Sequence, residues 1–371
     1  LAKANEELAD INAEIKKEGG NFKAEAWDWR YYADKARRAK FDLDENEVRP
    51  YLELNHVREG AFYVANKLYG ITFTEITDIP KPDSDAYAFE CKDKDGSPLG
   101  VLYMDFYTRP GKSGGAWCGG YRSQTYKDGK KITPVVTTVF NFSKPAAGQP
   151  ALLSADEAET VFHEFGHALH ALFGDVHYYG VADVPRDFVE LPSQVNEHWA
   201  FEPEVLKVYA KHYKTGEVIP QELVDKIVKS GKYGQGFATV EYLASSLLDM
   251  DYHVMKEIPA DLDIEKYEGK AMYGRGLPTQ IAPRYWGTYF GHTMEGGYTA
   301  GYYSYIWAEV LDADAFEAYK ETGDIFNQEV AAKFRQYVLT PGGIDDAMDM
   351  YKNFRGKEPS IEPLLKNRGL K

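Results

Sequence analysis

Ala158-Glu159-Thr160-Val161-Phe162-His163-Glu164-Phe165-Gly166-His167-Ala168-Leu169-His170-Ala171-Leu172-Phe173-Gly174 decides how this chain of 371 residues is read. Ser154 stands three residues before Glu157, the spacing of a capping box in which hydroxyl and carboxylate each take the other's backbone N–H, and Gly174 supplies a stop. A helix is therefore expected. Residues four apart on a helix share a face, so His163 and His167 can offer two imidazole nitrogens to one cation. Glu164 projects slightly aside, where it can reach a water on that cation without itself binding the metal.

With nine His and 58 acidic residues among 371, a His-acid-x-x-His pattern arises by chance about 0.03 times, the product of the three residue frequencies and the available positions. The competing reading is a surface helix with two solvated histidines. Against it, Val161, Phe162, Phe165, Ala168, Leu169, Leu172 and Phe173 leave the helix little polar surface. Histidines on such a helix are partly buried and need partners, and one metal ion satisfies both.

A net charge of −15 argues against a nucleic-acid partner, which needs concentrated Lys and Arg, and against an anionic membrane surface. No apolar run has the length to span a bilayer. The two cysteines, Cys91 and Cys118, are too few for a disulfide framework and read as free thiols, which favours a reducing, cytoplasmic compartment. The chain begins at Leu1 rather than Met, so a leader, and with it a periplasmic location, stays open. Oligomeric state is not legible.

Along the chain, residues 1–85 read as a helical lead-in, with helices expected over Leu1 to about Lys17, Ala24 to Lys40 and Val48 to Tyr69. Residues 86–142 shift to strand patterning. Ala86 to Cys91, the Asp95-Gly96 turn and Leu99 to Tyr107 predict a hairpin, and Ala116 to Tyr126 and Ile132 to Phe142 continue it to about four strands. A strand left unpaired at the edge of that sheet can take an extended peptide by main-chain hydrogen bonding. Gly114-Gly115 and Gly119-Gly120 flank Trp117 and would let another backbone come close, although loop and bulge glycines explain them equally well. Residues 150–371 read as mainly helical, and Gly231, Gly234 and Gly236, without a preceding strand, read as a flexible hinge or loop. The fold class is thus mainly α with a small β-sheet, α+β.

A catalytic zinc takes three protein ligands and keeps an open position, so one ligand is still to be found. His170, His177, Asp183, Asp187, Glu190, Glu197 and His198 follow the motif. His170 lies too far along the helix axis to join His163 and His167 without strain and is expected to pack beside them. Glu190 is far enough on for the chain to turn after Gly174 and return as a second helix. Spacing favours Glu190 but leaves Glu197 and Asp187 open.

Further stretches extend the picture: Arg186-Asp187-Phe188-Val189-Glu190-Leu191-Pro192-Ser193-Gln194, Phe290-Gly291-His292, and Gly296-Gly297-Tyr298-Thr299-Ala300-Gly301-Tyr302-Tyr303-Ser304-Tyr305-Ile306-Trp307. With the first motif they resemble the thimet oligopeptidase family of zinc peptidases. Arg109-Pro110-Gly111-Lys112-Ser113-Gly114-Gly115-Ala116-Trp117 and Ile281-Ala282-Pro283-Arg284-Tyr285 resemble its peptidyl-dipeptidase (dipeptidyl carboxypeptidase) branch. The match runs from roughly residue 20 to the C-terminus and corresponds to the family's catalytic C-terminal half, without its N-terminal helical region. It implies a zincin-type catalytic domain, an active-site helix beside a small sheet with a substrate-binding edge strand. It also implies that Glu190 is the third ligand of one Zn²⁺, and that His292, Tyr298, Tyr302 and Tyr305 face the scissile bond. Phenol or imidazole donors suit an oxyanion, which forms only on the way to product. Read from spacing alone, the three tyrosines would make an aromatic helix stripe in the core.

The expected function is zinc-dependent hydrolysis of short peptides with Glu164 as general base, releasing C-terminal dipeptides. Arg284 is a candidate for holding the substrate's terminal carboxylate, because guanidinium binds carboxylate bidentately, with a surface salt bridge as its ordinary alternative. Gly114, Gly115 and Trp117 are candidates for binding the substrate backbone. Two rivals remain: an endo-acting oligopeptidase of the same family, and a peptide-binding fragment that keeps zinc without turnover.

Overall fold

Most of the residues patterned as strands from Ala86 to Phe142 do pair into a sheet, and how thoroughly each strand is buried follows from its place in the strand order. In the computed structural model, which describes Leu1–Lys371, the strands are β1 Thr72–Glu75, β2 Tyr87–Lys92, β3 Pro98–Tyr107, β4 Trp117–Arg122, β5 Thr125–Lys127, β6 Lys130–Ile132 and β7 Val135–Phe142. Five of them form one sheet in the order β1-β2-β3-β7-β4, with β3 and β7 parallel and the other pairs antiparallel. β3 and β7 are buried almost throughout, as the centre of a sheet covered on both faces must be. β4 is largely exposed and pairs only with β7.

The sheet differs from expectation in two places. β1 lies inside the stretch read as helical lead-in; four residues with a mostly exposed face give no alternating signal. The strand expected over Ala116 to Tyr126 stops at Arg122, and the following residues fold back as a separate two-stranded hairpin, β5-β6. Its turn residues Asp128 and Gly129 have φ of +50° and +73°, a turn of the kind that fits a tight hairpin.

The chain forms two compact units. One comprises Leu1–Asp44, Glu222–Trp307 and Glu362–Lys371; the other comprises Glu45–Gln221 and Ala308–Ile361. The second unit holds the sheet and the motif helix, Ala155–Phe173, which packs on β7, β4 and β3. Phe165 of that helix meets the stacked pair Phe62 and Phe73, whose ring centroids are 4.1 Å apart. The helix carrying Phe62 starts at Leu54 rather than Val48, because Glu53 caps it through the N–H groups of Asn55 and His56 and a short 3-10 turn at Arg49–Tyr51 precedes it. The expected capping box is present on the motif helix: Ser154 N–H reaches Glu157 Oε2 at 2.8 Å and Glu157 N–H reaches Ser154 Oγ at 3.1 Å. Gly174 ends it in an extended conformation, φ −49°, so the stop there makes no use of glycine's left-handed region.

In the first unit the helix Gln235–His253 packs against Ala2–Lys17. Gly236 is no hinge: a Cβ there would meet Ala4 N at 2.5 Å, and the buried Glu7 carboxylate accepts the N–H groups of Gly236 and Phe237 at 2.9 and 2.8 Å. Gly234, with φ +85°, precedes the helix. No helix is long and apolar enough to cross a membrane.

The loop from β3 to β4 is tied down by a buried charge cluster. Asp105, 4% exposed, takes both Arg109 terminal nitrogens at 2.8 Å and Lys112 Nζ at 3.0 Å, and Lys112 also donates to the Tyr107 carbonyl at 2.8 Å. Burial would raise the Asp105 carboxyl, but the two cations outweigh it and hold it below its ordinary value. Stability from a depressed carboxyl is complete above the unfolded value near pH 4 and is lost as pH falls through the folded value. Asp105→Asn leaves Lys112 buried without its counter-charge, so it is expected to cost about 3 kcal/mol at pH 7. Denaturant unfolding of both proteins from pH 7 downward should show the gap narrowing in acid; a gap that stays constant contradicts the ion-pair origin.

Candidate metal centre

The second unit brings the two motif histidines together with a carboxylate from the next helix but one turn of 3-10 helix, Arg186–Glu197. His163 Nε2 and His167 Nε2 lie 3.4 and 3.1 Å from Glu190 Oε2. One ligand atom from each of the three residues falls within 4.8 Å of the others. Both histidines are half-buried and Glu190 is buried. Two imidazole nitrogens and a carboxylate oxygen are the donors a catalytic zinc takes, and three ligands leave a position open. The residues present therefore fit that ion.

What lets Glu190 reach is Gly166, between the two histidines. A Cβ on Gly166 would lie 2.5 Å from Pro192 O and 2.6 Å from Ser193 Cα, so the two helix backbones touch where that side chain is missing. The contact is locked by Asn196 Nδ2, which donates to the Phe162 carbonyl at 2.7 Å in the interior. Ser193 Oγ donates to the Glu190 carbonyl at 2.8 Å and sits 3.2 Å from its Oε2, fixing the carboxylate's direction. Glu190, Ser193, Asn196 and Glu197 thus share one face of the helix.

Of the alternatives for the third position, Glu197 has a different task. Its Oε1 lies 2.5 Å from His163 Nδ1, which sets the proton on Nδ1 and turns Nε2 towards Glu190. Asp187 and His170 stand outside the group. Burial, with His167 as a lesser cause, lowers the His170 imidazolium to about 4, so this ring is neutral. Burial also acts to lower the His163 imidazolium, yet the carboxylates of Glu190 and Glu197 overcome it and raise it well above its ordinary value. Glu190 is correspondingly held well below its own, its burial outweighed by the two imidazoles. The acids therefore favour positive charge at His163, the kind of charge a bound metal ion would also bring there.

Glu164 is the unsatisfied group of the site. It is 4% exposed, and its Oε2 has no hydrogen-bond partner. Burial raises its pKa against the opposing pull of His163 and His167. Cys118 of β4 lies close enough for Glu164 to act on it, and burial before that charge pushes the thiol up, leaving it protonated. Trp117, on the same edge strand, is 36% exposed. Gly114 and Gly115 lie in the preceding loop, held by Asn141 Nδ2, which donates to the carbonyls of Ser113 and Gly115 at 2.7 Å each. Gly115 has φ +82°, which calls for glycine; a Cβ on Gly114 would meet nothing within 4 Å.

The other expected residues belong to the first unit and are gathered there. The His292 ring centroid lies 5.7, 5.5 and 6.3 Å from those of Tyr298, Tyr302 and Tyr305. Tyr298 and Tyr305 stack at 5.3 Å. They are no helix stripe, because Tyr298 and Tyr302 precede the helix that begins at Ser304. Burial keeps the Tyr302 hydroxyl protonated. Arg284 is exposed, its guanidinium near Tyr302 and Tyr285.

Comparison with known proteins shows what the chain as a whole is similar to. The family model described as peptidase family M3 matches residues 1–370. Dipeptidyl carboxypeptidase of Escherichia coli K12 is 44% identical over 372 residues, covering 99% of this chain and 54% of that protein. Dipeptidyl carboxypeptidase of Salmonella typhimurium LT2 is 41% identical over 368 residues, 98% of this chain and 54% of that protein. Oligopeptidase A of E. coli K12 is 38% identical over 372 residues, 98% and 54%. The chain spans about half the length of these relatives.

Two substitutions test the geometry. Glu197→Gln keeps a hydrogen bond to His163 but removes the charge, and it is expected to weaken metal binding about 10- to 100-fold in a competition titration. Gly166→Ala must push the helices apart, costing about 1–3 kcal/mol of stability and lowering metal affinity together. Wild-type affinity in the Gly166→Ala protein contradicts the role given to that contact.

Proposed function

We propose that this chain, which belongs to peptidase family M3, hydrolyses peptide bonds in short peptides at one zinc ion held by His163, His167 and Glu190, and that it releases dipeptides from the C-terminus. The observation that carries the reading is the pairing of that three-residue donor group with a buried carboxylate, Glu164, whose Oε2 has no partner. An ionisable group kept out of water and left unpaired costs stability, and such groups concentrate where chemistry uses them.

A bound zinc supplies Lewis acidity: it polarises the scissile carbonyl and lowers the pKa of water. The rest is done by the chain's own side chains. Glu164, its proton affinity raised by burial, takes the proton from the attacking water and hands it to the leaving amine. Glu197 keeps His163 in the tautomer that presents Nε2. His292, Tyr298, Tyr302 and Tyr305 are assigned the hydrogen bonds to the oxyanion and substrate backbone, a task for which a phenol that stays protonated is suited. The open edge of β4, with Trp117 and the loop glycines Gly114 and Gly115, is assigned to main-chain pairing with the substrate.

Dipeptide release requires a fixed anchor for the terminal carboxylate, and Arg284 is assigned to it. The names of two similar proteins, both dipeptidyl carboxypeptidases, favour this exo-acting reading. Similarity to oligopeptidase A supports the endo-acting alternative.

Cleavage of one oligopeptide in free-acid and C-terminally amidated forms separates them. Loss of most activity on the amide is the expected result, and equal cleavage makes the enzyme endo-acting. Glu164→Gln should keep its metal and lose about 100-fold or more in kcat. Turnover at the native rate in that protein defeats the assigned base. A chelator should abolish wild-type turnover, with zinc restoring it.

A further inference from the structure

The segment that carries Arg284, His292, Tyr298 and Tyr302 is mostly loop, yet its backbone is hung along one face of the helix Gln235–His253. Tyr242, Ser245 and Asp249 recur at spacings of three and four, which places them in line on that helix. Ser245 Oγ accepts the Tyr285 N–H at 2.8 Å. The Tyr242 hydroxyl donates to the Tyr302 carbonyl and accepts the Ile306 N–H at 3.3 Å. Asp249 does most: one carboxylate oxygen takes the Ala300 N–H at 3.1 Å and the other takes the Tyr302 N–H at 2.9 Å.

Asp249 is 0% exposed, and the His253 ring lies 2.9 Å from its Oδ1. A carboxylate costs much to bury, so its position in mid-helix is not explained by helix formation. The residue it grips is also unusual. Ala300 has φ +51°, a left-handed conformation that a side chain disfavours and that tertiary contacts must impose. Two charge-assisted hydrogen bonds from neighbouring amides, one on each oxygen, impose it.

We propose that Asp249 is a positioning residue: by gripping the Ala300 and Tyr302 amides it fixes the left-handed turn that sets the direction of Tyr298 and Tyr302, and so makes their hydroxyls ready before substrate arrives. Donors that need no reorganisation stabilise developing charge most. Loosening the turn should therefore slow the chemical step more than it weakens substrate binding. The kinetic half of this inference rests on the peptidase reading; the structural half does not.

The test uses two variants of the full chain. Asp249→Asn keeps the shape but loses one of the two acceptors, and Ala300→Val leaves the acid buried and paired while making the left-handed turn less favourable. Hydrogen–deuterium exchange on metal-free protein should show the amides of residues 298–303 opening about tenfold faster in Asp249→Asn, with the motif helix unchanged. In peptide hydrolysis both variants should lose about tenfold or more in kcat while KM stays within about threefold, at unchanged zinc content. Unchanged exchange in Asp249→Asn overturns the grip. Faster exchange with undiminished kcat in both variants overturns its consequence for turnover, as does a change confined to KM. If Asp249→Asn does not fold, Ala300→Val still decides the kinetic half. An inactive wild-type chain would count against the peptidase reading, and the exchange result would then judge the grip by itself.

Discussion

Two helix backbones meet at Gly166, and the candidate centre depends on that contact. The absence of one methyl group lets Pro192 and Ser193 settle against the motif helix, which carries Glu190 to the Nε2 atoms of His163 and His167. Helices separated by ordinary side chains pack at about 8–10 Å between axes, and a carboxylate has little reach to spare beyond that. Asn196 and Ser193 then convert proximity into direction, one fastening the backbones and the other aiming the carboxylate. Packing and chemistry are the same constraint here.

The electrostatics follow from gathering acids around rings in a half-buried place. Glu190 and Glu197 raise the proton affinity of His163, so the group favours positive charge. Glu164, next along the same helix, is left without a partner on Oε2 and takes on a proton more readily than a carboxylate in water. The division of labour between the acids is one of orientation: Glu190 points at two Nε2 atoms, Glu197 at one Nδ1, and Glu164 at neither. In the other unit a fourth acid, Asp249, grips backbone rather than side chains.

The motif helix and its capping box were legible because local rules decide them: a hydroxyl, a carboxylate three residues on and an apolar stripe. The mixed α and β character and the presence of strands near β2, β3 and β7 were legible from patterning; the burial of β3 and β7 was not. Glu190 stood out by spacing but could not be separated from Glu197, since residues seven apart share a helix face and only the packed distance tells ligand from orienter. Gly166 was invisible as a contact, because a glycine's importance lies in what presses against it. The tyrosines read as a stripe by their spacing, and Gly296, Gly297, Gly301 and the left-handed Ala300 keep the first two in a loop instead. Asp249 gave no signal, as an acid in mid-helix reads as solvent-facing until its burial is seen. β1 was missed because four mostly exposed residues carry no period.

The central claim is the identity of the three ligands, and it is tested most directly by locating the metal in crystals of zinc-loaded protein through anomalous scattering at the zinc edge. The account predicts one peak per chain, bonded to Nε2 of His163, Nε2 of His167 and a carboxylate oxygen of Glu190, with Glu197 on the far side of the His163 ring. A peak bonded to Glu197 or Asp187 in place of Glu190, or zinc bound only elsewhere, would contradict it.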